Sequence, residues 1–394
     1  MMAEDALPVR LTRLQSRSFL IGGAALAVSV VAALFEPRQF IRSYLIAFLF
    51  WSGIPLGCLV VLMLHYLVAG GWGFLIRRPL ESCARTLPLV AVLAVPILVG
   101  MPWLFPWTHR SVVALDPLLQ KKQVYLNVPF FIFRAIAYFA IWIALARTLN
   151  RWSSEQDRTG ASRAAHRLYN LSGPGIIVYG LTVTFASLDW VMSLEPDWFS
   201  TIYSAVFMIG QVLSALAFVT AMLMFLVSEE PLSQVASDQH LIDLGNMVMT
   251  FVILWAYVAF SQFLIIWSGN LTDEIGWYLH RTRGGWQWVA LAMVAGHFAL
   301  PFLLLLSREI KRRARYLTRL GVGLLIMHFV DLVWNVDPSF DRTGFRFHWL
   351  DIMVAIGIGG IWVGAFVAQL KQRPLLPLHD PDLPAALAAA EGAH

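Results

Sequence analysis

Asp189 and Asp331 are the acids through which this sequence could move protons. Each closes a long apolar run, the first in SLDWVMSLEPDWFS and the second in FVDLVWNVDPSF. An ionisable side chain in an apolar helix is costly and implies a function or a partner. On a helix, His328, Asp331 and Asn335 fall at i, i+3 and i+7, on one face. A histidine one turn from an acid takes up and passes on a proton near neutral pH. The same arrangement equally suits a hydrogen-bonded pair that holds helices together. The matching stripe before Asp189 runs through Tyr179, Thr182 and Ala186 to Ser193, with alanine in place of the histidine. Arg134 is the one basic residue well inside an apolar run, since Arg42, Arg147 and Arg319 fall near run ends, and it comes level with Asp189 if their helices adjoin. A charge pair there would offset the burial of both. His297 lies mid-run, and His65 shares a helix face with Cys58. A lone helix histidine is more often a packing residue, so these two are weaker candidates. The proton-route candidates are therefore Asp189, Arg134, His328, Asp331, Asn335, His297 and His65. No residue is assigned as catalytic.

Positioning these groups requires a membrane-embedded helical scaffold. Of the 394 residues, 58% are hydrophobic and 13% charged, and mean hydropathy is +0.67. Soluble domains hold about 45–50% apolar and about 25% charged residues. The net charge of +5 reflects loop arginines and points to membrane orientation, not to nucleic acid. The two cysteines lack metal-ligand spacing, and no C-x-x-C-H is present for covalent haem. Only His65, His297 and His328 lie well within apolar runs, too few for two b-type haems, which leaves room for one haem at most. Motifs for nucleotide, zinc or serine hydrolysis are missing from the sequence.

Ten runs reach the length of about 20 residues that crosses a bilayer. They span Ser18 to Phe35, Phe40 to Gly70, Thr86 to Phe105, Leu126 to Leu149 and Leu171 to Leu194, then Thr201 to Val227, Leu241 to Trp267, Gly284 to Leu306, Tyr316 to Val336 and Phe347 to Leu370. With the N-terminus inside, 19 basic residues lie on the inner side and 9 on the outer, which predicts both termini in the cytoplasm. Asp189, Ser193, Glu195 and Pro196 recur at an offset of 142 as Asp331, Asn335, Asp337 and Pro338. The simplest role for the two proline-adjacent acids is to stop their helices in the headgroup layer. The repeat predicts an all-α integral membrane protein of two parallel-repeat four-helix bundles, helices 2–5 and 6–9, plus two flanking helices. In residues these are repeat 1 at about 40–196, repeat 2 at about 201–338 and flanking helices at 18–35 and 347–370. Together they form one transmembrane domain over 1–370, followed by a loosely attached cytoplasmic tail, 371–394.

Ten spans with inward termini, the SLDWVMSLEPDWFSTIYS block and its VDLVWNVDP echo together resemble the smaller polysulfide-reductase-type (NrfD-like) membrane subunit of bacterial alternative complex III. The likeness covers about Phe40 to Leu370. It implies a quinol oxidoreductase of the bacterial inner membrane, respiratory or photosynthetic. It also implies partners that carry the redox groups: a larger NrfD-like membrane subunit, a periplasmic iron–sulfur subunit, multihaem cytochrome c subunits and a terminal oxidase. This chain would carry no redox metal itself and would not be catalytic alone, with quinone or quinol as its small-molecule contact and His328 and Asp331 as the candidate quinone contacts. Scaffold and proton conduction are the roles implied, with the outer acids and His328 on the route and His297 and His65 as inner steps. Two other readings fit the residues: a secondary transporter, whose site would favour paired mid-span breaks at matching repeat positions, and a structural anchor.

Overall fold

The computed structural model describes residues 7–377 and 383, apart from 69, 161, 228, 229, 231 and 342. Most of the predicted tail, and Arg342 of the outer loops, lie outside the described residues. The described chain is helical and without strands, and ten helices are long and apolar enough to cross a membrane. We label these spans α1 (Leu7–Ala33), α2 (Pro37–Val68), α3 (Arg77–Val99), α4 (Val128–Thr159), α5 (Ser162–Leu194), α6 (Tyr203–Val227), α7 (Asp238–Gly269), α8 (Trp286–Leu306), α9 (Ala314–Val336) and α10 (Trp349–Leu370). Helices are the natural outcome, because a spanning segment must satisfy its backbone polar groups internally.

Local signals set several boundaries. Asn127 caps α4 by accepting from the Phe130 N–H at 2.9 Å, and Gly160 closes it in the left-handed conformation. His348 and Asp351 form a reciprocal cap at the start of α10. Two expected boundaries move. α1 is already helical at Leu7, the first described residue, so Arg10, Arg13 and Arg17 ride on the helix ahead of the apolar run. α3 begins at Arg77, placing Arg77, Arg78 and Arg85 within it or at its breaks, where a loop was expected. Buried carboxylate partners, described below, make that possible.

α2 is the most buried span and α6 the next. They cross each other at the centre, and α2 also packs against α3, α5, α9 and α10. α6 packs in turn against α5, α7 and α9, while α4 pairs with α5 and α1 with α10. Small residues bring the backbones together. A Cβ on Gly57 of α2 would lie 2.1 Å from the Gln211 carbonyl oxygen of α6. On α10, a Cβ on Gly360 would lie 2.5 Å from the Gly22 Cα of α1. Close approach of this kind replaces the hydrophobic driving force that lipid does not provide. Lys371 donates to Thr12 at 2.8 Å and to Gln15 at 3.2 Å, so the start of α1 and the end of α10 share one side of the bundle. Gly360→Leu is expected to destabilise the α1 and α10 pair by about 1–3 kcal/mol, since helix backbones there cannot yield as a side chain would. Thermal unfolding in detergent measures it, and an unchanged transition would contradict the close packing.

Candidate functional site

Neighbouring helices α4 and α5 bring Arg134 and Asp189 together as a two-pronged ion pair. The Arg134 Nη2 lies 2.7 Å from Asp189 Oδ1, and its Nε lies 2.9 Å from Oδ2. The Tyr138 hydroxyl donates to the same Oδ2 at 2.8 Å. Arg134 Nη1 donates to the Tyr125 carbonyl at 2.9 Å, with the Tyr125 ring 3.9 Å from the guanidinium carbon. Both charges are buried and saturated with charge-assisted hydrogen bonds. Further along the stripe, Thr182 accepts from the Trp142 indole at 2.8 Å and Tyr179 donates to Gln211 at 2.7 Å. Asp189 therefore sits in a closed structural lock, since accepting a proton would require breaking the fork.

Asp331 has a looser setting. Asn335 donates to its Oδ1 at 3.0 Å, and Tyr203 of α6 donates to Asn335 Oδ1 at 3.1 Å. His328 Nδ1 stands 3.8 Å from Asp331 Oδ2, beyond a direct hydrogen bond, and that nitrogen has no hydrogen-bond partner among the described residues. The His328 ring centre lies 6.1 Å from that of His297 on α8. His297 is fully buried, with both ring nitrogens unpartnered among the described residues, 4.2 Å from the centre of Trp255 on α7. The helix carrying His297 widens into a π-helical turn over Val294–Ala299. Such turns often mark functional sites. Tyr203 of α6, Asn335, Asp331 and His328 of α9 and His297 of α8 thus form one largely buried polar row, with Asn335 partly exposed and Trp255 of α7 beside His297. Buried polar atoms without partners cost about 1–3 kcal/mol each, so their retention needs a reason.

The two proline-adjacent acids lie just past the ends of α5 and α9 and also tie neighbouring span ends together. The fully buried Arg281, on the short helix Thr272–Arg281, reaches Glu195 Oε1 at 2.7 Å and the Asn335 carbonyl at 2.9 Å. Ser339 donates to the same Glu195 oxygen at 2.7 Å. Burial lowers the Arg281 pKa, and Glu195 pulls against that shift. In the opposite direction, Arg42 at the start of α2 lies 3.7 Å from Asp337 at the end of α9. Arg281 escaped the sequence reading, which counted it as a loop cation; its place among Trp277, Tyr278 and two span ends was the only hint. Glu195→Gln is expected to cost about 1–3 kcal/mol, because the buried Arg281 can keep a hydrogen bond there but loses its opposing charge. Thermal unfolding in detergent checks this, and no loss would remove the clasp.

A third centre, at the opposite end of the bundle, was also missed. Glu81 of α3 receives Arg78 at 2.6 Å, Arg77 at 3.1 Å and Arg373 at 3.1 Å, together with Ser153 of α4 at 2.6 Å. Arg78 also bonds Asp157 at 2.6 Å. This network explains why α3 starts among arginines.

No protein-family model and no curated protein matches the chain. The seven sequence candidates thus stand on geometry alone, and they separate into three places. Arg134 and Asp189 form the lock. His297, His328, Asp331 and Asn335 gather in the looser chain. His65 stands apart, its ring against Trp72 and Tyr66 at the far end of α2, with no ring contact among the described residues to His297 or His328. Cys58 and Cys83 are buried, free and in contact across α2 and α3. Among the described residues no three His, Cys, Asp or Glu side chains converge as a metal-ligand set.

Proposed function

We propose that this chain is a scaffold and proton-handling membrane subunit of a quinol oxidoreductase of the alternative-complex-III type, in the bacterial inner membrane. The observation that carries the proposal is the buried chain from Tyr203 through Asn335, Asp331 and His328 to His297, with unpartnered ring nitrogens beside a π-helical turn. Quinol oxidation releases protons together with electrons, and a buried His and Asp pair gives the protons a place to go. Asp331 receives a proton, Asn335 and Tyr203 hold the carboxylate in place, and His328 relays to or from it by ring rotation or through one bridging water. Electrons would pass through the partner subunits, the iron–sulfur protein and the multihaem cytochromes c, with the larger NrfD-like subunit alongside. His328 and Asp331 are the proposed quinone-facing groups.

The neighbour relations support two related four-helix units, α2–α5 and α6–α9, meeting at α2 and α6 with α1 and α10 on the flank. They weigh against a transporter. α3 breaks at Ala94 and α8 widens at Val294–Ala299, whereas α7 and α4, their partners by repeat order, are continuous. The matched mid-span breaks of a transporter site are therefore missing.

Gentle solubilisation and affinity capture test the assignment. Co-purification of c-haem absorbance and iron–sulfur resonances at fixed stoichiometry is expected. A chain that emerges as a free monomer without either signal would overturn it.

A further inference from the structure

On the same side of the bundle as the Glu81 network, α3, α4 and the end of α10 enclose a cavity of about 370 Å³. Arg85, Arg147, Arg151 and Arg373 line it, with Pro88 and Ile143 as an apolar wall. Among the described residues, Arg373 alone of the four cations forms an ion pair, with Glu81 at 3.1 Å, an acid it shares with Arg77 and Arg78. Arg85 donates to the neutral amide of Gln372 at 2.5 Å, and repulsion from Arg373 outweighs its attraction to Glu81. Arg147 and Arg151 have no ion-pair partner among the described residues. Converging guanidinium groups without counter-charge destabilise one another unless an anion joins them, and their planar forks match phosphate oxygens.

Two further observations narrow the anion. The Asn150 and Gln369 side-chain oxygens, which also face this cavity, are buried and lack a donor. Hydroxyl groups on the ligand would supply one. The apolar wall continues outward: Val92, one turn from Pro88, and Ile136, two turns from Ile143, are both more than 60% exposed on the faces that meet lipid. We infer that this cavity is a binding site for a hydroxyl-bearing phosphate ester, with the phosphate between Arg85, Arg147 and Arg151 and the hydroxyls on Asn150 and Gln369. Basic pockets between spans at the bilayer surface are suited to anionic headgroups.

The experiment uses the delipidated full chain in detergent, with any partners it retains. Binding of phosphatidylglycerol, phosphatidylcholine and soluble glycerol phosphate is read by native mass spectrometry and thermal shift. The double variant Arg147→Gln/Arg151→Gln removes exposed cations that hold no internal bond, and Arg38→Gln/Arg110→Gln is the charge-matched control on the other side. The wild type and the control are expected to bind phosphatidylglycerol in preference to phosphatidylcholine. The cavity variant is expected to bind phosphatidylglycerol about thirtyfold more weakly, as loss of two surface cations implies. Glycerol phosphate binding as tightly as the lipid would support the site with a soluble ester as its source; binding of the lipid alone would identify the bilayer as the source. Equal binding of both phospholipids, or a cavity variant that binds like the wild type, would overturn the inference.

Discussion

Arg134→Met is expected to destabilise the protein by about 3–5 kcal/mol, the cost of leaving a buried charge without its partner. Asp189 is 1% exposed and takes both prongs of the arginine fork, so water cannot replace the lost donors. Tyr138 alone would remain on the carboxylate. Replacing both members, Arg134→Met with Asp189→Leu, should recover most of that loss, because two apolar side chains of similar volume need no compensation. Thermal unfolding in detergent for the two single variants and the double gives the coupling directly. Additive losses would mean that the fork is not the interaction that matters.

The second large effect falls on activity. On the proposed function, His328→Gln or Asp331→Asn is expected to slow quinol oxidation by the assembled complex by about a hundredfold, the low end of what a positioned proton-transfer group contributes. Stability should not follow. Asn at 331 keeps an acceptor for Asn335 and removes a buried carboxylate whose nearest cationic partner stands 3.8 Å away, so the unfolding transition should hold or rise. His297→Leu tests the far end of the chain. It replaces two unpartnered nitrogens with carbon, and slowed turnover with undiminished stability is the expected result.

Much of the scaffold was legible because lipid imposes a simple rule on sequence: apolar runs of sufficient length must be helices. The Arg134 and Asp189 pair was legible for a related reason, since a cation inside a span must find an anion at its own depth. The stripe of His328, Asp331 and Asn335 followed from helix periodicity. Contacts fixed by distant partners were not legible. The start of α3 among Arg77 and Arg78 depends on Ser153 and Asp157, more than 70 residues away, and on Arg373 near the end of the described chain. Arg281 looked like one more loop cation because its acceptors are mostly backbone carbonyls, which carry no residue type. The close pairing of α1 and α10 rests on Gly22 and Gly360, whose meaning appears only once the two helices face each other. The π-helical turn at His297 had no sequence signal that periodicity would detect.

The similar blocks at Asp189 and Asp331 thus hold two acids in different surroundings. One is bound on every side, and the other is held by an asparagine and faced by a histidine at a distance. The central claim is that only the second handles protons. Its most direct test is quinol turnover and proton release in vesicles containing the intact complex with Asp331→Asn, measured beside Asp189→Asn. The account predicts that Asp331→Asn abolishes nearly all turnover with the fold intact, while Asp189→Asn lowers the unfolding temperature and leaves the turnover of folded complex near wild type. Wild-type turnover and proton release in the Asp331→Asn complex would contradict it.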